Sequence, residues 1–164
     1  MEPLLNNQTH DYNKRTLQNV IDDLTNINNK NRYRMINIHY TTLDMDMLVA
    51  LLKLIATTQY DSLYSLEFRN AKINNTMLKV LFNHIKCFSI LHNILVVEDK
   101  PIKYDQETIN YCKDIVANNG PVCTVIYDGN LKYNLDPIGR EWCDKNGDYT
   151  RIAVDVNQNM VEVQ

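Results

Sequence analysis

The sequence predicts an α/β fold, organised as a short right-handed solenoid with parallel strands on its concave face. The first observation is an apolar phrase that recurs four times, at steps of 30, 29 and 29 residues. Its members are Ile36, Ile38 and Leu43; Leu66, Phe68 and Ile73; Leu95, Val97 and Ile102; and Thr124, Ile126 and Leu131. The second observation is that strand-like alternation gives way to helical spacing within each of the first three units. A fixed period in this range is typical of stacked supersecondary units.

Residues 1–32 are predicted to form a helical cap at the amino end. The first ten residues are largely polar and terminal, so we expect them to be loose. From Leu17 to Ile27 the apolar residues follow helical spacing, which predicts an amphipathic helix. A solenoid exposes an apolar layer at each end unless another element covers it. This helix is therefore expected to cover the first unit.

Residues 33–131 form the predicted repeats. In the first unit Ile36 and Ile38 alternate with polar residues as in a half-buried strand, and helical spacing follows Leu43. The second unit copies this order, and residues 74–76 supply possible helix caps. In the third unit Asp105 lies near the start of the predicted helix. Each unit is therefore predicted as a strand, a bend and a returning helix.

Residues 132–164 are predicted to form a C-terminal cap. A fourth strand phrase, residues 122–127, has no convincing helix behind it. The tail carries two short apolar segments, residues 152–156 and 160–163, which the polar residues 157–159 separate as in a β-hairpin. At 164 residues the chain suits one domain, and no linker separates the units.

The repeating unit resembles the ribonuclease-inhibitor type of leucine-rich repeat. The motif of that family is L-x-x-L-x-L-x-x-(N or C)-x-L, and the second unit matches it best, with Leu63, Leu66, Phe68, Ala71 and Ile73. Ala71 stands where the family has Asn or Cys. The resemblance implies a curved parallel sheet with helices outside it, and a protein that binds other proteins through its strand face.

The predicted partner-binding surface consists of outward-facing strand residues and polar residues at the strand ends. Strand side chains divide by parity, so Leu66, Phe68, Leu95 and Val97 are expected to point into the core. The predicted binding residues are His39, Tyr40, Glu67, Arg69, Asn70, Glu98, Asp99, Tyr127 and Asp128. Aromatic and Arg side chains tend to anchor protein interfaces, which favours a protein partner. A solvated sheet face with no binding role is the alternative interpretation.

Composition disfavours other classes of partner. The net charge is −3 and the basic residues are scattered, which argues against nucleic-acid binding. The longest apolar run, residues 47–52, is far shorter than the roughly 20 residues of a membrane helix. The start of the chain lacks a signal-peptide pattern, so we predict a cytoplasmic protein. The Asn-rich composition is compatible with delivery into a host cell by an intracellular pathogen.

Metal and cofactor chemistry is not expected. His84, Cys87 and His92 lie close in sequence, with Cys112 as a possible fourth ligand, and invite a zinc-site interpretation. A core cysteine with surface histidines explains them better, since His92 falls in a connection rather than on the helix of the other two. The four glycines are isolated from one another, which excludes a phosphate-binding glycine loop.

The sequence therefore predicts a non-catalytic protein-binding module, and occlusion of a partner enzyme's active site is one concrete form of this function. The alternative is a cysteine-dependent enzyme. It would use Cys143 as nucleophile with His39 or His92 as the base.

Overall fold

Six strands lie in chain order across one open, mostly parallel sheet. A computed structural model describes residues 9–11, 17–39, 41–119, 123–139, 144–146, 152–154 and 160–162. The strands are β1 (Thr9–Asp11), β2 (Met35–His39), β3 (Ser65–Arg69), β4 (Asn93–Glu98), β5 (Cys123–Asp128) and β6 (Leu131–Asn134). Consecutive strands from β1 to β5 pair in parallel, whereas β6 pairs antiparallel with β5. The predicted α/β class with parallel strands in sequence order is confirmed.

Helices return the chain between the parallel strands. They are α1 (Leu17–Thr25), α2 (Met45–Thr58), α3 (Asn75–Asn83) and α4 (Gln106–Asn119), with 3-10 turns at Ile27–Asn29 and Ile85–Cys87. Each helix contacts the next one along the chain. Three of these helices, α2, α3 and α4, begin at acceptor side chains, because Asp44, Asn74 and Asp105 accept the N–H groups of the third residue beyond them, at 2.7–2.9 Å. None of the described helices is both long and apolar enough to cross a bilayer.

The main core lies between the helices and one face of the sheet. The sheet contributes Ile36, Ile38, Leu66, Phe68, Ile94, Val96 and Ile126, all buried. The helices contribute the predicted stripes, among them Leu48, Leu51, Ile55, Met77, Leu78, Leu81, Ile109, Cys112 and Val116. Met47 also fits the helical spacing that follows Leu43, but it is exposed, and the buried stripe of α2 contains Leu52 in its place. Complete burial of one such side chain stabilises the fold by about 1.5–3 kcal/mol.

The third unit differs by one residue from the predicted register. Leu66 pairs with Ile94, 28 positions further along the chain, whereas the prediction aligned it with Leu95. Leu95 and Val97 therefore lie on the face of the sheet opposite the helices. The reason is that β4 is buried on both faces, so residues 94–97 are apolar without alternation and their parity cannot be read from the sequence.

The amino end is partly as predicted. The amphipathic helix is confirmed as α1. The first ten residues were expected to be loose, but residues 9 and 10 form β1 together with Asp11, and this strand adds a parallel edge beside β2. Backbone hydrogen bonds hold an edge strand, so a polar segment can occupy this place without an apolar pattern.

The carboxyl end contains two antiparallel pairs. The predicted hairpin is confirmed, since β7 (Ile152–Val154) pairs with β8 (Met160–Glu162). The chain turns from β5 directly into β6, and the described residues that follow contain no helix. Leu131 was assigned to the repeating apolar phrase, but it begins β6 and is 59% exposed.

Gln59, at the end of α2, joins the first unit to the loop that leads into it. Its side chain is fully buried. The Oε1 atom accepts the N–H groups of Arg32 and Tyr33, both at 3.0 Å, and Nε2 donates to the carbonyl of Asn29 at 2.7 Å. One amide thus satisfies three backbone groups of the loop that leads into β2.

We expect Gln59→Ala to lower the free energy of unfolding by about 2–4 kcal/mol, because it leaves buried backbone groups without partners. Gln106→Ala is the matched control, since Gln106 is exposed and bonds only Asn110 on its own helix; its expected change is below about 0.5 kcal/mol. Urea unfolding followed by circular dichroism measures both variants. Equal free energies of unfolding for the two variants would show that the hydrogen bonds of Gln59 do not stabilise the fold.

Candidate functional site

The predicted binding residues fall into two groups on the described part of the chain. His39, Glu67, Arg69 and Tyr127 lie on the strand face, the face of the sheet opposite the helices. Asn70, Glu98, Asp99 and Asp128 lie at the carboxyl edge, where the parallel strands end. Tyr40 is outside the described residues. Glu98 was predicted to line the strand face, but the register of β4 places it on the side of the main core; this follows from the one-residue shift of the third unit.

His39, Glu67 and Arg69 contact one another and form the strand-face cluster. His39 Nε2 is hydrogen bonded to Glu67 Oε2, and Arg69 Nε lies 3.6 Å from the same oxygen. Arg69 Nη2 also donates to the carbonyl of Lys145 at 2.7 Å. The three side chains are only 15%, 11% and 10% exposed. The predicted open surface is therefore largely covered at this point.

The other half of the strand face is apolar. Leu95, Val97, Cys123 and Val125 form a second, smaller buried cluster against which Tyr127 packs. The docking surface was predicted over the whole strand face. Because these side chains of β4 and β5 are buried, a partner could not contact them there. Little of that face remains accessible to a partner.

Asp128 fastens one unit to the loop of the unit before it. Its Oδ1 atom accepts the N–H groups of Ile102 and Lys103 at 2.7 and 3.2 Å, and Oδ2 accepts the N–H of Tyr104 at 2.8 Å. Asp128 is 1% exposed. A carboxylate that accepts three backbone N–H groups of a buried loop is part of the fold, so this predicted binding residue has a structural partner already.

Glu98 occupies the corresponding position at the end of β4, directly beside Asp128 in the sheet. Its Oε2 atom accepts the N–H of Ile73 at 2.9 Å. The side chain is 3% exposed, yet none of the described cationic residues forms an ion pair with it. Glu98 is thus a buried carboxyl group held only by backbone donors.

A cavity of about 480 Å³ opens beside Glu98, and we call it the carboxyl-edge groove. It is lined by Asn70, Lys72 and residues 98–102. Asn70 and Asp99 close one side through two mutual hydrogen bonds of 2.9 and 2.8 Å. The groove therefore brings together three of the predicted binding residues.

Four groove residues were not predicted: Lys72, Lys100, Pro101 and Ile102. Residues 100–102 directly follow the predicted strand end, which is a usable signal, since ligands of open parallel sheets bind at the carboxyl ends of the strands. Lys72 gave no such signal. It adopts φ of +59°, a conformation for which the sequence would be expected to supply Gly.

Burial raises the pKa of Glu98 to about 7. The N–H groups of Ile73 and Lys72 act in the opposite direction, as does the charge of Lys72, while the charge of Asp128 adds to the increase. A carboxyl group with this pKa exchanges its proton near neutral pH. It can serve as a hydrogen-bond donor when neutral and as a counter-ion when ionised.

Comparison with known proteins adds no relative. No family model matches the chain, and no curated protein or solved structure matches it. The groove is therefore interpreted from its own geometry.

The described residues that were considered for metal binding do not form a metal site. Among the described residues, no three His, Cys, Asp or Glu side chains are placed to hold a metal ion. His84 Nδ1 is 2.9 Å from the carbonyl oxygen of Val80. The ring of His92 stacks on the ring of Tyr64, with 5.3 Å between the ring centroids. Cys143 is outside the described residues.

Glu98→Gln should remove a pH-dependent loss of stability. The folded pKa of Glu98 is near 7 and the ordinary value is 4.5, so the folded state holds this proton more tightly and stability falls as the pH rises between these values. We expect the free energy of unfolding of the wild type to fall by roughly 1–3 kcal/mol more than that of the variant between about pH 5 and pH 8. Denaturant titrations at a series of pH values measure this difference.

Glu107→Gln is the control for this experiment. The Glu107 carboxylate is largely exposed and makes a surface ion pair of 3.5 Å with Lys79. Such pairs contribute little to stability, so its pH profile should follow the wild type. Identical profiles for Glu98→Gln and the wild type would contradict the assigned titration.

Proposed function

We propose that the chain is a non-catalytic protein-binding module, a short leucine-rich-repeat-like solenoid that engages a partner protein at its carboxyl-edge groove. The observation that carries the proposal is the groove itself, a cavity of about 480 Å³ with Asn70, Glu98 and Asp99 in its wall. Cavities of this size accommodate side chains of a partner, and the carboxyl end of a parallel sheet is where ligands of such sheets bind.

Corresponding contacts in successive units support the repeat architecture. The helix caps Asp44, Asn74 and Asp105 follow one another at intervals of 30 and 31 residues. Asp128 and Glu98 each accept backbone N–H groups from the loop of the preceding unit. Units that complete each other in this way are characteristic of solenoids.

The accessible groups favour the edge over the strand face as the docking site. Lys72, Asp99 and Lys100 are exposed on the rim of the groove, whereas the strand-face cluster is nearly buried. A rim that carries both signs of charge around an apolar wall resembles the composition of protein interfaces. Rim charges also steer association and select the partner.

The resemblance to inhibitor-type repeats supports one specific form of this function. In that form the partner is an enzyme in the cytoplasm of the producing cell or of a host cell, and docking at the groove occludes its active site.

The double variant Lys72→Glu, Lys100→Glu should reduce partner capture by about tenfold or more, because it reverses two rim charges that are proposed to contact acidic groups of the partner around the groove. Lys53→Glu, Lys113→Glu is the matched control, since both lysines are exposed on helices away from the groove. Affinity capture from the native cell with quantitative mass spectrometry compares the variants. Hydrogen exchange of the purified complex should then show protection in residues 70–73 and 98–104. Equal capture by both double variants, or protection elsewhere, would contradict the proposal.

One observation favours the enzyme alternative. Glu67 holds the imidazole of His39, and a carboxylate that orients a histidine is the arrangement of a general base. The two functions differ in the thiol of Cys143, which would be activated only in an enzyme.

Under the binding function, Cys143 should react with iodoacetamide at a rate within about tenfold of the exposed Cys87, and His39→Gln should leave that rate unchanged. Peptide mass spectrometry over a time course resolves the individual thiols. A much faster reaction of Cys143 that His39→Gln abolishes would favour the enzyme instead.

A further inference from the structure

The geometry of the carboxyl-edge groove points to the chemistry of its occupant. We infer that the groove receives a positively charged Lys or Arg side chain of the partner protein, with Glu98 as the counter-ion. This inference rests on the proposed function and specifies what the groove recognises.

Glu98 is a buried acid without a cation. It is 3% exposed, its Oε2 atom accepts the Ile73 N–H at 2.9 Å, and no described Lys, Arg or His forms an ion pair with it. Removal of a carboxylate from water is costly unless a charge or hydrogen-bond donors compensate for it. A ligand cation would supply the missing compensation.

The groove has the shape and the wall that a long cationic side chain requires. Its volume of about 480 Å³ lies within the usual range of binding pockets, about 300–1,000 Å³. Pro101 and Ile102 provide apolar wall beside Glu98. Lys and Arg bury their aliphatic stems along such surface and place the charge at the end.

The other charged and titratable groups around Glu98 are already satisfied or solvated. Asp128 accepts three backbone N–H groups, and the Tyr104 hydroxyl donates to the Ile73 carbonyl at 2.5 Å. Asp99 lies 3.6 Å from the ammonium of Lys145. Two lysines on the rim, Lys72 and Lys100, are exposed to water, which screens their repulsion of an incoming cation. Glu98 is the acid that a ligand in the groove would neutralise.

Binding of a cation is expected to depend on pH. The ligand favours ionised Glu98, while burial holds the pKa of the empty site near 7. Binding should therefore release a proton below this pH, and the affinity should increase as the pH rises from about 6 to about 8.

The test uses the full chain and two probes of nearly equal size, N-α-acetyl-arginine methylamide and N-α-acetyl-citrulline methylamide, which differ in charge. Amide chemical shifts recorded during titration locate and quantify binding. We expect the arginine probe to perturb residues 70–73 and 98–104 and to bind at least about tenfold more tightly than the citrulline probe. Glu98→Gln should abolish this preference, whereas Glu107→Gln, an exposed carboxylate outside the groove, should retain it.

Equal affinity for the two probes, no binding of the arginine probe at millimolar concentration, or shifts outside the groove would overturn the inference. The comparison of probes uses the wild-type chain, so it remains decisive even where Glu98→Gln fails to fold. Failure here also differs from failure of the proposed function. If the Lys72→Glu, Lys100→Glu variant loses its captured partner while the two probes bind equally, the groove is the docking site and only its selectivity for a cation is wrong.

Discussion

The backbone N–H groups of the loops between strand and helix donate hydrogen bonds to acceptors outside their own unit. The rest of the structure depends on these hydrogen bonds between units. Asp128 accepts three of them from the loop before α4, and Glu98 accepts that of Ile73 in the loop before α3. At the opposite edge, Gln59 accepts the N–H groups of Arg32 and Tyr33 and so fixes the loop between the cap and the first unit. Buried backbone donors are almost always paired, so each unit is complete only when the next one is in place. The order and spacing of the strands follow from this dependence.

Asp128 and Glu98 occupy equivalent places but differ in how well their charge is compensated. Three backbone donors surround the carboxylate of Asp128, which explains its role as a fastening of the fold. Glu98 has weaker support and lies beside a cavity, where burial raises its pKa to about 7. A neutral side chain of similar shape would be easier to bury at this point. Local choices that oppose stability are expected at functional sites, and this is the physical reason to connect Glu98 with recognition.

The elements of the main core could be predicted because their burial is one-sided. Ile36 and Ile38 alternate with polar residues, and the helices show their buried stripes at the 3.6-residue period. Residues 94–97 could not be oriented in this way, since β4 is buried on both faces. The single shift also moved Glu98 from the expected strand face to the side of the core. Apolar content establishes that a strand exists, but only alternation establishes which way its side chains point.

The candidate site was predictable in its residues but not in its shape. Polar residues at the ends of successive strands identified Asn70 and Asp99, whereas Glu98 was predicted as a residue of the strand face. The groove between them also depends on Lys72, whose positive φ shapes the loop after β3 and which no residue preference predicts. The step of 28 residues between β3 and β4 cannot be recognised without the register. A cavity arises from how neighbouring loops of different length meet, and that information is tertiary.

The chain's own residues cover much of the strand face, which leaves the carboxyl edge as the more accessible place for the proposed recognition. Arg69 binds the carbonyl of Lys145, and the ammonium of the same Lys145 contacts the carbonyl of Gly129 at 3.0 Å and the carboxylate of Asp99 at 3.6 Å. One residue thus joins the strand-face cluster to the rim of the groove. Because Asp99 is held from both sides, by Asn70 and by Lys145, the rim acid is largely compensated within the chain. Glu98, inside the groove rather than on its rim, is therefore the acid of this region that forms no ion pair with a described residue, and the proposed selectivity for a ligand cation would arise there.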